Sequence, residues 1–81
     1  MKLYIFIETD STDPGYAYTE VYLTEKEATE RLRELYHEEA VERVDNDGHP
    51  IDCAVISDDH KTACVIYSDI SIYWQVQEKE I

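Results

Sequence analysis

The chain has 81 residues, enough for one small domain over 1–81, and an apolar share of 43%, which fits a globular rather than a disordered protein. Nineteen Asp and Glu against seven Lys and Arg give a formal charge of −12. That charge opposes direct binding to nucleic acid or to an anionic membrane surface, since both are polyanions.

Lys2 to Glu8 is rich in β-branched and aromatic residues and reads as a strand. Asp13-Pro14-Gly15 is a turn signal, because Pro presets φ and Gly accepts positive φ. Tyr16 to Leu23 alternates and reads as a second strand, closing a hairpin with a long loop. Thr24 and Glu27 fit a capping box, each side chain serving the other's amide. Ala28, Leu32, Leu35, Tyr36 and Ala40 then recur at helical spacing, with Val41 and Val44 extending the stripe. The helix is expected from Glu25 to about Arg43, ended by Asn46-Asp47-Gly48 and Pro50.

Ile51 to Ser57 and Thr62 to Ser68 form a second expected hairpin around Asp58-Asp59-His60-Lys61. Ile70 to Gln77 alternates as a last strand, with a frayed tail from Glu78 to Ile81. The order is ββαβββ, which implies an α+β fold: a mostly antiparallel sheet of about five strands with one long helix across one face.

One helix covers one face of a sheet, and strand side chains alternate faces. Leu3, Ile5 and Ile7 oppose Tyr4, Phe6 and Glu8; Thr19, Val21 and Leu23 oppose Tyr16, Tyr18, Glu20 and Tyr22. In the last strand Ile70, Ile72, Trp74 and Val76 oppose Ser71, Tyr73, Gln75 and Gln77. The aliphatic sets lack polar atoms needing partners, so they are expected beneath the helix. That reading leaves Tyr4, Phe6, Glu8, Tyr16, Tyr18, Glu20, Tyr22 and Tyr73 as a partner-binding face, since tyrosine packs its ring while its hydroxyl stays hydrated.

Candidate chemistry is sparse. Arg43 to Ala54, set on Gly48, lacks the acids that an EF-hand loop needs at its first and last positions. Cys53 and Cys64 share a face with Ile51, Val55 and Ile66 and read as small core residues. His49 and His60 lie at opposite ends of a strand, so no metal site assembles with them. His60 precedes Cys64 by four residues, about 13 Å in an extended strand, too far for a thiol–imidazole pair. No phosphate loop, HExxH or GxSxG is present. No catalytic residue, cofactor or metal is therefore expected.

Met1 to Ile7 is too short for a secretory signal and runs at once into Glu8 and Asp10. No stretch approaches the ~20 apolar residues of a membrane span. Two cysteines are no disulfide framework, so a reducing cytoplasm with free thiols is the expected location.

On the helix Glu27–Arg31, Glu30–Arg33 and Glu39–Arg43 are spaced to pair. The loop acids Asp10, Asp13, Asp45, Asp47, Asp52, Asp58, Asp59 and Asp69 have fewer bases nearby. In size and charge the chain resembles small acidic inhibitors from phages and mobile elements, including anti-restriction and anti-CRISPR proteins, without sharing a motif with them. Two functions are expected to compete. One is a non-enzymatic module docking a basic protein, in its sharpest form a nucleic-acid mimic. The other is a homo-oligomer formed through the tyrosine face.

Overall fold

A computed structural model describes residues 1–42, 51–67 and 70–81. Strand β1 (Lys2–Asp10) and β2 (Tyr18–Tyr22) form the first hairpin. Helix α1 (Glu25–His37) follows and continues as a π-helical turn over Glu38–Glu42. Then come β3 (Cys53–Ile56), β4 (Thr62–Tyr67) and β5 (Ile70–Glu80). The expected ββαβββ order and α+β class hold, and the five strands form one antiparallel sheet in the order β2-β1-β5-β4-β3. None of the described helices is long and apolar enough to cross a membrane.

The last strand organises the sheet. β5 lies between the two hairpins and pairs with β1 from Lys2↔Glu80 to Asp10↔Ile72. Its end was expected to fray. Instead Glu78–Glu80 pair with Lys2–Tyr4, and the Ile81 amide donates to the Met1 carbonyl at 2.9 Å. A nine-residue partner is what keeps that tail in the ladder.

Thr24 caps α1 as expected, accepting from the Glu27 amide at 3.2 Å. The Thr24 hydroxyl in turn donates to the Glu27 carboxylate at 2.8 Å. Ala28 and Leu32 are fully buried, with Leu35, Tyr36 and Ala40 packed beside them. Val41 departs from the expected stripe and is 42% exposed. An i→i+5 turn holds an extra residue per turn, so positions beyond it no longer follow the 3.6-residue stripe. Val44, the helix stop at residues 46–50, His49, Asp45, Ser68 and Asp69 lie outside the described residues.

The core consists of Phe6, Ala28, Leu32, Ala63, Val65, Ile72, Trp74 and Val76. It overturns the expected facing of β1 and β2. Phe6 is fully buried beneath the helix, and Tyr4 and Tyr22 pack against the same cluster. Leu3, Ile5, Ile7 and Val21 therefore stand on the helix-free side. Register decides this: Phe6 pairs with Val76 and Glu8 with Trp74, and directly paired residues share a face. Trp74, Val76 and Ile72 face the helix as expected, so their β1 partners must do so too.

The second hairpin carries the same reversal. Cys53 is exposed, Cys64 half-buried, Val55 58% exposed and Ile66 37% exposed. Ala63 and Val65, one residue out of step with these, supply the core instead.

Candidate protein-interaction surfaces

The residues expected to form one partner-binding face are divided by the fold. Tyr4, Phe6, Glu8, Tyr18, Glu20 and Tyr22 fall on the helix side by register. Tyr73 falls on the helix-free side, 39% exposed. Tyr16 precedes β2 and reaches back to donate its hydroxyl to Glu8 Oε2 at 2.8 Å.

The two carboxylates of the set act as internal partners. Glu8 Oε1 accepts the Trp74 indole N–H at 2.8 Å, satisfying the one polar atom of a fully buried ring. Glu20 accepts from Arg31 Nε at 3.0 Å. Arg31 thus turns to the sheet and to Glu34, at 3.9 Å, rather than pairing with Glu27 as helical spacing suggests. The Glu20 hydrogen bond outweighs burial and holds the guanidinium pKa above its ordinary value. Burial, then Glu20, pushes the Tyr22 hydroxyl up. For Tyr16 the bond to Glu8 is the leading cause of the same upward shift.

At one end of the sheet a shallow hollow of about 410 Å³ is lined by Glu8, Asp10, Asp13 and Glu39 among neutral neighbours that include Tyr16 and Tyr67. Asp10 Oδ1 accepts from the Thr12 amide at 2.8 Å and the Thr12 hydroxyl at 2.7 Å. Those two bonds hold the carboxyl below the ordinary aspartate range. The hollow collects negative charge with aromatic walls, chemistry that suits a lysine or arginine side chain. No group of three or more metal-ligating side chains assembles among the described residues.

The opposite face has another character. With no break in register, its rows can be read across the sheet: Val21–Ile5–Gln77, then Thr19–Ile7–Gln75–Thr62, then Thr9–Tyr73–Cys64–Val55, then Ser71–Ile66–Cys53. Leu3 and Lys79 extend the first side. No strand residue of this face is Asp or Glu. The Gln77 amide donates to Gln75 Oε1 at 3.3 Å, so the two polar side chains partly satisfy one another. The Cys64 thiol is pushed up by burial and then by Cys53. Alternation grouped the residues within each strand, but it set Ile5, Ile7 and Val21 opposite Tyr73, Gln75 and Gln77; that they share one open face follows from the pairing of β1 with β5.

No protein-family model, curated protein or solved structure matches the chain.

Proposed function

We propose that this chain is a non-catalytic interaction module of the cytoplasm that docks a basic protein through its carboxylate-bearing side. The observation that supports the reading is charge segregation. A formal charge of −12 is distributed over a molecule in which one entire sheet face carries no carboxylate. Among the described residues the acids are thereby concentrated on the helix, the rims and the hollow of Glu8, Asp10, Asp13 and Glu39. Concentrated charge steers a basic partner and fixes its orientation, which scattered charge does not.

The eight residues first grouped as a partner face contribute unequally to this reading. Glu8 and Tyr16 line the hollow, whereas Phe6 is core. In the nucleic-acid-mimic form, the carboxylates occupy the partner's phosphate-binding groove.

The test is titration with an arginine-rich peptide, comparing two variants of equal net charge. Asp10→Asn with Asp13→Asn should weaken binding about tenfold or more, as expected for two charge-assisted contacts. Glu78→Gln with Glu80→Gln, at the far end of β5, should weaken it much less. Equal losses for the two pairs would show diffuse attraction and remove the localised site. Binding by a natural partner that double-stranded DNA does not compete away would remove the mimic form.

A further inference from the structure

We infer that the helix-free sheet face is the contact surface for a second copy of this chain, giving a back-to-back dimer with the acidic helices turned outward. The face is broad, its strand residues are uncharged apart from Lys79, and none of the described residues covers it. Val21 and Val55 are 60% and 58% exposed, and Ile66 and Tyr73 join them. Apolar side chains stand in every row among uncharged Thr, Ser and Gln, the mixed composition of an interface rather than of a purely hydrated face.

Charge selects the occupant. Two copies of a chain at −12 repel wherever their carboxylates meet. The strand residues of this face include no acid, so here two copies can approach with least repulsion. A two-fold contact also demands a surface complementary to itself. Valine and isoleucine meet this condition, and the Gln75 and Gln77 amides can both donate and accept. The single charged strand residue, Lys79, sits at the far end of β5, away from the middle rows.

Area is sufficient. Strands of these lengths, at ~3.4 Å per residue and ~4.8 Å apart, span roughly 550 Å². Two such faces stacked about 10 Å apart, as sheets pack in a sandwich, enclose roughly 1,100 Å². That lies at the lower edge of specific interfaces. The expected dimer is therefore reversible, and it should tighten as salt screens the acidic rims. Docking of a basic partner has the opposite salt dependence, so failure of one reading leaves the other standing.

Sedimentation of the full chain over a concentration series tests the inference. The expected result is a reversible species of twice the 9.5 kDa chain mass, favoured by added salt. Val55→Glu and Val21→Glu should each raise the dimer dissociation constant by at least about a hundredfold, since the two-fold axis brings in two charges at once. Lys26→Glu, an exposed change on the helix, should leave it unchanged. The Cys53 thiol supplies a readout without mutation: its modification by a thiol reagent should slow as chain concentration rises. A chain that stays monomeric throughout, or a dimer indifferent to both valine changes with Cys53 still reactive, overturns the proposal.

Discussion

The two sheet faces are built from similar residues and meet opposite fates. Beneath the helix lie Phe6, Val65, Ile72, Trp74 and Val76, at most 8% exposed. On the other side Ile5, Ile7, Val21, Val55 and Ile66 stand among Thr, Ser and Gln, with none of the described residues above them. Hydrophobicity alone therefore does not decide which face is core. Shape and polar satisfaction do. The covered face holds the large rings, and its polar members, Glu8 and Glu20, find partners in Trp74 and Arg31. Charge separates the faces further, since the open side has no strand carboxylate at all.

The sharpest way to break this comparison is to truncate one residue from each face. Phe6→Ala removes a ring that is 0% exposed and should cost about 3–5 kcal/mol by denaturant unfolding. Val21→Ala, 60% exposed on an edge strand, should cost well under 1 kcal/mol under conditions that keep the chain monomeric. Equal losses would mean that the two faces are wrongly assigned.

A smaller effect tests how the covered face tolerates a carboxylate. Glu8→Ala leaves the indole N–H of a buried Trp74 without its acceptor. Such a group costs roughly 1–3 kcal/mol. Glu8→Gln keeps an acceptor and should recover most of that loss. If alanine and glutamine behave alike, the bond contributes little and Glu8 is free to serve the hollow alone.

Element order, the capped helix and its buried stripe were all legible in the sequence. Each depends on local signals: alternation, a Thr–Glu box, a 3.6-residue period. The facing of β5 was legible too, because Trp74 and Val76 contrast with Gln75 and Gln77. In β1 both alternating sets are apolar, Leu3, Ile5 and Ile7 against Tyr4 and Phe6, so contrast is absent. There the facing is inherited from β5 through a pairing between residues up to 78 positions apart, Lys2↔Glu80. No local pattern encodes that register. The same gap misdirected the site, since it placed Tyr4, Phe6 and Tyr22 on the uncovered face and the β1 aliphatic residues in the core. One clue did exist. Glu20 stands near a helix bearing Arg31, and an acid opposite a base marks the side that faces the helix.

The finest contrast concerns the carboxylates themselves, among which some are held by local bonds. Asp10 is one of these, with its pKa lowered by the Thr12 amide and then the Thr12 hydroxyl. A carboxyl whose folded pKa lies below its unfolded value of roughly 3.9 stabilises the fold above that value. The contribution fades as pH falls through the unfolded and then the folded value. Acidification also relieves repulsion in a chain this negative, which acts in the opposite direction. Asp10→Asn isolates the local effect: it retains an oxygen acceptor for Thr12 but cannot titrate. The stability difference between wild type and this variant should shrink as pH falls from about 5 to about 3. Because Asp10 is close to solvent, the change should be small, and thermal unfolding of the two proteins side by side at each pH is the appropriate measurement. A difference that stays flat, or grows toward acid, would mean that repulsion among neighbouring carboxylates outweighs the Thr12 bonds at Asp10.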